Sequence, residues 1–595
     1  MIKMSKDEVS SYLGDVLPLS LIGEGLSYLS DVSWRVEGDA VSLREFDTDA
    51  DFGIKNGVLI SLNSLGEASV YAKYLGEEYV TRVTVREMLE SDNDECQVYL
   101  RGDMHHHTSM NHKHDEFAKH ENEDIPDYVD FMRGEGLLDF TVISDHAGVT
   151  NDRDFWRGFD LTEGTAPIIF AGAESEVNYK ETNRFGIVER KSGEIVTMMS
   201  AGYVDSDDSY EPFEREMRYS KGAFAIFAHP HVVGFSTKGI WNFDYPSRTS
   251  PLMLSLMRGI EMGNGADMKE NMLHEYAYPA ALDAGFRVSP TCSSDGHGPS
   301  CGFYGVPGKT VVIAKENSKE AIHEAFLKNR FYATESGNVK LKYTVNGVTA
   351  PATIPPTDEY VFHIELDYFA HDTSTEPILL EIVSDYGKRA ATVDVKGNII
   401  DVTVRSDTAR YFYLRLTDSE ARKTWSYPVW CGREFDKKRE ITVEPIDLSK
   451  AMATVDGKEC YTVINGDPTD YYDTGAVSPT VLIDLGKVEK VAAVGLYQRI
   501  IERQGKPVGW VTSDDSRSLV SRYEIYTSVD GKEYTLAASE VAKQLSGEAI
   551  VDFTPRVARY VRIDCLSNVG NDSRHPRYKG CPTAIGNIAI FKKST

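Results

Sequence analysis

Several features are scarce in this 595-residue sequence, and each scarcity excludes a class of protein. No apolar run approaches the ~18 residues that a membrane-crossing helix needs, so no such helix is expected. Cysteine is sparse: seven residues lie between Cys96 and Cys581, and no two are spaced as Cys-x-x-Cys. That pattern excludes a disulfide framework and a zinc ribbon, and an odd number leaves at least one thiol unpaired. Basic residues are outnumbered, 64 Lys and Arg against 92 Asp and Glu, a net charge of −28. A phosphate-tracking nucleic-acid surface needs clustered cations, so no nucleic-acid partner is expected. Met1 to Ser10 is polar and lacks an apolar segment, so no signal peptide is expected in this chain. Short repeats, low-complexity tracts and a Gly-x-Ser-x-Gly nucleophile elbow are all missing, which leaves serine-triad hydrolysis a poor rival.

What remains is ordinary globular composition, 41% hydrophobic and 26% charged, in a chain long enough for roughly three to five domains. Four segments differ in pattern. Residues 1–97 read as strands separated by Gly and Asp, among them Val32–Val36, Val58–Leu62, Ala68–Tyr74 and Tyr79–Val85. From 98 to 337 apolar strands alternate with helical periodicity, at Ile125–Leu138, at Tyr276–Leu282 and after the capping-box-like Asn317-Ser-Lys-Glu320. This alternation implies an α/β domain, plausibly a barrel. Residues 338–447 return to strands, and 448–595 are again β, with an Asp530-Gly531 hairpin signal. The fold class is therefore multidomain, α/β plus all-β.

Histidine points to chemistry. Of 15 histidines, 11 fall in the 193-residue window from His105 to His297. Asp103-Met-His-His-His107, Ser144-Asp-His146, Ala173-Glu174, Ala228-His-Pro230 and Ser294-Asp-Gly-His297 each follow an apolar strand. In a parallel βα domain those positions gather at one end, where active sites are built. Imidazoles with carboxylates suit zinc, manganese or iron. If Leu100 to His107 is one strand, His105 and His107 share a face and His106 points away, as a structural or supporting group. A carboxylate such as Glu174 can bridge two cations about 3.5–4 Å apart, which activates a hydroxide between them.

These motifs resemble the PHP (polymerase and histidinol phosphatase) metal-dependent hydrolases, especially the CehA-like branch with Gly-Asp-x-His-x-His-Thr. The resemblance covers about 240 residues and implies a distorted seven-stranded β/α barrel with two or three divalent transition metals (Zn, Mn or Fe). It implies that His105, His107, Glu174 and Asp295 surround one ion and that Glu174 and His229 hold a second. A third falls to His146, His297 and either His112 or His114. Asp145 is a candidate for proton transfer. One departure stands out: the family supplies a further histidine to the second ion, but residues 175–228 contain none. The matching stretch is Asn183-Arg184-Phe185-Gly186, which leaves His231 or water to complete the ion and makes Arg184 a candidate contact for an anionic substrate. Glu176 competes with Glu174 as the bridge, and motif position favours Glu174. His120, His274, His323, His363, His371 and His575 read as structural or solvated residues. Cys292 and Cys301, flanking the Asp295 loop, read as small buried residues rather than thiolate ligands.

The flanking segments carry resemblances of their own. Ser33-Trp34, Asp39-Ala-Val41, Asn56-Gly-Val-Leu59, Leu65-Gly-Glu-Ala68 and Val83-Thr-Val85 resemble bacterial immunoglobulin-like domains. Residues 338–447, ending in Ser426-Tyr-Pro-Val-Trp430, resemble the immunoglobulin-like extension of some CehA-like proteins. Asn465-Gly-Asp-Pro-Thr469, Leu482-Ile-Asp-Leu-Gly486, Ser528-Val-Asp-Gly531, Ala558-Arg-Tyr-Val-Arg-Ile563 and Ile585-Gly-Asn-Ile588 resemble the discoidin (coagulation factor type C) jelly roll. That resemblance implies glycan binding, with Tyr471, Tyr472, Trp510 and Arg574 as candidate contacts, and a structural calcium. The expected protein is a metal-dependent hydrolase acting on a phosphorylated small molecule or glycan-linked phosphoester, outside the cytoplasm of a bacterium. Its rivals are a carboxylester, carbamate or amide hydrolase on the same site, and a glycan-binding surface protein with an inactive PHP domain.

Overall fold

The computed structural model describes residues 2–12, 16–26, 30–44, 56–86, 92–107, 138–146, 167–182, 184–186, 188–198, 223–230, 256–265, 274–297, 308–433, 442–498, 502–503, 506–507, 517–541, 548–571 and 580–594. The expected helix at Ile125–Leu138 lies outside them except for its last residue, as do His112, His114, His120, His231, Cys301, Trp510, Arg574 and His575.

The first segment is a sandwich of two four-stranded sheets. One holds Lys3–Met4, Val16–Ile22, Val41–Arg44 and Gly57–Leu62; the other holds Glu8–Tyr12, Ser33–Glu37, Gly66–Tyr74 and Glu77–Arg86. Alternation closes it: Ala68, Val70 and Ala72 turn inward on one strand to meet Leu19, Leu21 and Ile60. Four of its strands were legible from alternation. Val16–Ile22 was not, because Pro18 interrupts the alternation of Leu17, Leu19 and Leu21 with a residue that ordinarily demotes a strand.

The histidine-rich segment opens with β1 (Val98–His107) and continues with β2 (Phe140–Ile143), β3 (Ile168–Thr182), β4 (Val188–Met198), β5 (Phe224–Ala228), β6 (Met257–Asn264), β7 (Ser289–Ser293) and β8 (Gly296–His297). Hydrogen bonding links β1 through β7 in that order. Pairing is parallel for β1–β2, β2–β3, β5–β6 and β6–β7. The long β3–β4 hairpin is antiparallel, and so is β4–β5. β8 pairs in parallel with the end of β1, Gly296 opposite His106 and His297 opposite His107, so the run returns to its first strand. β2 and β5 are buried along their whole lengths, which is why they read as largely apolar runs, broken only by Thr141. β1 and β2 approach closely at Gly102, where a Cβ would lie 2.2 Å from the Phe140 ring.

Two helices are described in this segment. α1 (Ala277–Asp283) turns off before Gly285, whose φ is +93°, as expected for a residue just past a helix end. α2 (Lys319–Leu327) starts one residue later than the motif suggested. Ser318, not Asn317, is the N-cap, and its hydroxyl accepts the Ala321 N–H.

The third segment is not set apart where the pattern changes. Phe331–Thr334 pairs with Lys423–Trp425, so one continuous sheet crosses the expected boundary at 337 into Tyr411–Asp418, Pro377–Ser384 and Lys388–Asp394. Val339–Val345, Glu359–Tyr368 and Ile399–Arg405 form the core of the facing sheet, with Val339, Leu341, Tyr343 and Val345 all inward. A buried ionic cluster fastens the seam. Glu275, just before α1, contacts Arg415, Lys423 (2.5 Å) and the Trp425 indole N–H (3.3 Å), and Arg415 also reaches Glu381 (2.7 Å). The last segment centres on an eight-stranded sheet around the long strands Thr480–Tyr497 and Glu548–Asn568. Its Asp530-Gly531 turn joins Val520–Ser528 to Thr535–Val541, as read.

Candidate metal centre

The pleat of β1 sets the first part of the site. His105 and His107 fall on one face, fully buried, with their Nε2 atoms 3.1 Å apart. His106 is turned away, and its Nδ1 lies 3.0 Å from the Ser294 hydroxyl. Asp103, two residues earlier, accepts the backbone N–H groups of His105 and Ser294 and the Ser294 hydroxyl. It thereby ties β1 to the loop that delivers the next residue, Asp295. The Asp295 N–H donates to the His105 carbonyl, and its Oδ1 lies 3.1 Å from His107 Nε2 and 3.4 Å from His105 Nε2.

Glu174 comes from β3, held by backbone hydrogen bonds to Ser144 and Asp145. Its two oxygens face different partners. Oε1 lies 3.0 Å from His229 Nε2 and 3.4 Å from His105 Nε2; Oε2 lies 3.3 Å from His107 Nε2 and 3.2 Å from His146 Nδ1. His229 follows β5. Among the described residues of this segment, the non-glycine residues with positive φ up to α1 and β8 are His229 (23°) and Asp295 (47°). Both are candidate ligands, so the backbone is bent where the donors must converge.

Glu261, interior to β6, accepts the His229 N–H (2.7 Å) and an Asn264 side-chain N–H (3.0 Å). Its other oxygen lies 3.1 Å from His105 Nδ1. Although Glu261 stands among cation-competent groups, the Nδ1 contact makes it the partner that orients His105. With Nδ1–H donated to Glu261, the His105 Nε2 lone pair is aimed into the cluster. Loss of such a supporting carboxylate weakens metal binding by about 10–100-fold. Glu261→Gln is therefore expected to raise the metal dissociation constant by that factor in isothermal titration, with ligand number unchanged.

The groups of the cluster shift one another's ionisation. Burial works against charge on every member, yet mutual attraction wins. Asp295, Glu174 and Glu261 hold the His105 imidazole well above its usual range despite its burial. Against the same burial, Asp295 and Glu174 raise His107 to about 9, and Glu194, Glu174 and Asp295 raise His229 to about 10. Glu174 and Asp295 are in turn pulled far below the usual carboxylate range, burial being outweighed by His105 and His107. The spacing fits a metal. Ligand atoms about 2.1 Å from a tetrahedral ion lie about 3.4 Å from one another. His105, His107, Glu174 and Asp295 offer ligand atoms all within 4.8 Å, with the closest contacts at 3.1–3.4 Å. The residues fit the group that the sequence motifs imply.

The other site residues fall out unevenly. His146 is half-exposed, stacks on His107 with ring centroids 4.7 Å apart, and touches Glu174. Asp145 is fully buried beside it. His297 is placed through its backbone pairing with His107, and its side chain, like those of His112 and His114, lies outside the described residues. The Glu176 side chain does too. Cys292 is buried, and burial pushes its thiol up, away from a thiolate ligand.

Arg184 requires a correction. It sits at the tip of the β3–β4 hairpin, beyond Thr182, and eight strand residues at ~3.3 Å each put that tip about 26 Å along the strand from Glu174. There its guanidinium forks onto Glu548 of the last segment (2.6 and 2.7 Å) and stacks over Phe185 at 3.9 Å. Arg184 clamps two segments together and does not reach the cluster. Arg184→Ala is expected to change KM for a phosphoester and for a neutral ester by the same factor; a selective rise for the phosphoester would restore the anion-binding reading.

Sequence reasoning missed Glu194, Glu261 and Asp103. Glu194 Oε2 lies 3.2 Å from His229 Nε2. A signal existed for Glu261: a carboxylate inside the apolar run Gly259–Met262 is buried on any strand reading, and a buried charge requires partners.

No protein-family model matches the chain, and no curated protein matches it. Solved structures do. A family 32 carbohydrate-binding module from C. perfringens NanJ, in complex with galactose, is 19% identical and aligns over 25% of this chain and all of its own, with a TM-score of 0.20. The first such module of a family 31 glycoside hydrolase from Clostridium perfringens is 20% identical over 24% of this chain and 94% of its own, with a TM-score of 0.18. No helix among the described residues is long and apolar enough to cross a membrane.

Proposed function

We propose that this protein is a metal-dependent hydrolase of the PHP type, with residues 98–337 as a distorted seven-stranded β/α barrel. The observation that carries the reading is the buried convergence of His105, His107, Glu174 and Asp295, two imidazoles and two carboxylates spaced as metal ligands. The return of β8 to β1 supports a closed arrangement of strands. Zinc, manganese or iron, when bound, would supply a Lewis acid and lower the pKa of water toward neutrality. The chain's own residues do the rest. Glu174 ties the histidine positions together, Glu261 fixes the His105 tautomer, Asp103 locks the Asp295 loop, and Asp145, buried beside His146, is the candidate for moving a proton.

Phosphoesters are the substrate class that the motif resemblance implies. A second reading, a carboxylester, carbamate or amide substrate, gains from the engagement of Arg184 with Glu548, which removes the phosphate-binding cation expected from sequence. The last segment is proposed to dock the enzyme to glycan and the first and third to be immunoglobulin-like sandwiches, all by motif resemblance. Metal analysis of the purified full chain, with phosphomonoester, phosphodiester and carboxylester substrates before and after chelation, tests the proposal. Bound transition metal and chelator-sensitive ester hydrolysis are expected. Absence of metal uptake would sink it.

A further inference from the structure

The hairpin that displaces Arg184 from the site brings another residue into it. In the register of β3 with β4, Glu174 faces Val196, and Glu194 stands two residues further along β4 on the same side of the pleat. The adjoining register sets Glu194 opposite Ala228, the residue before His229. The outcome is a second donor group beside the first: His229 Nε2 lies 3.0 Å from Glu174 Oε1 and 3.2 Å from Glu194 Oε2. Glu174 belongs to both groups.

We propose that Glu194, Glu174 and His229 form a second cation site of harder donor character than the first, so that the two positions take different metals. This rests on the metallohydrolase reading and adds to it the ligand and the metal preference of the second position. The first group offers two imidazole nitrogens and two carboxylates; the second offers one imidazole and two carboxylates. Oxygen-rich donor sets suit manganese and magnesium, whereas imidazole-rich sets suit zinc. Asp295 Oδ2, 4.0 Å from His229 Nε2, adds further negative charge on the side facing the first group. The missing histidine of residues 175–228 is therefore answered by a carboxylate from a strand that the sequence pattern did not reveal.

The test is titration of the metal-stripped full chain with Mn²⁺, followed by electron paramagnetic resonance, and repeated after one equivalent of Zn²⁺. Wild type is expected to bind two Mn²⁺ and, once loaded with one Zn²⁺, still to bind one Mn²⁺. Glu194→Gln should keep the first equivalent and bind the second at least about tenfold more weakly, since even supporting residues cost that much. Glu194→His should keep two equivalents and shift the second toward Zn²⁺, which guards against a variant that merely misfolds. Two equivalents of unchanged affinity in Glu194→Gln would overturn the proposal. So would a wild type binding a single equivalent that Glu194→Gln leaves unaltered, whereas a wild type that binds no metal overturns the hydrolase reading itself.

Discussion

Glu174→Gln is expected to reduce turnover on the order of 10³-fold while leaving the far-ultraviolet circular dichroism unchanged. The charge stabilisation that metal ions give a transition state is worth several kcal/mol, and each 1.36 kcal/mol is a factor of ten in rate. Both carboxylate oxygens of Glu174 face imidazoles, His105 and His229 on one side and His107 and His146 on the other. An amide of the same shape keeps one oxygen but puts an N–H donor where a ligand lone pair is required. The fold should survive, because the contacts fixing the strand here are backbone ones, from the Glu174 N–H to the carbonyls of Ser144 and Asp145. Glu176→Gln serves as the control on the same strand face. If that variant inactivates and Glu174→Gln does not, the bridging role belongs to Glu176.

Glu275→Ala is expected to cost about 3–5 kcal/mol of stability, the usual consequence of removing one partner from a buried ionic cluster. Glu275, Arg415 and Lys423 are all buried at the seam between the histidine-rich segment and the sandwich that follows it. Arg415 keeps Glu381, but the carboxylate shared by both cations and by the Trp425 indole is gone. The urea midpoint of the cooperative transition that unfolds this seam should drop accordingly, while Glu444→Ala, which removes an exposed pair with Lys592, should leave that midpoint unchanged. A loss below about 1 kcal/mol in Glu275→Ala would mean that the seam does not depend on this cluster.

Strand-based features were the most legible. The period of two is a property of the local backbone, so His105 and His107 on one face and His106 on the other could be read once Leu100 to His107 was taken as one strand. The same holds for Val339–Val345 and for the Asp530-Gly531 turn, whose pattern and pairing are both local. Motif position likewise brought Glu174, His229 and Asp295 to one place. The Ser318 cap shows the limit of this reading, since a shift of one residue changes which hydroxyl meets which N–H.

By itself the sequence determined a chain rich in strands, a histidine-dense segment, and which imidazoles and carboxylates of that segment could gather. Tertiary structure alone decided that Glu194 meets His229 and Glu261 meets His105, that Arg184 engages Glu548 instead, and that one sheet crosses the 337 boundary. The physical reason is distance along the chain. Arg184 and Glu548 are 364 residues apart, and His105 and Glu261 are 156 apart. No local periodicity encodes contacts of that kind; they exist only once strand register and segment packing have been set.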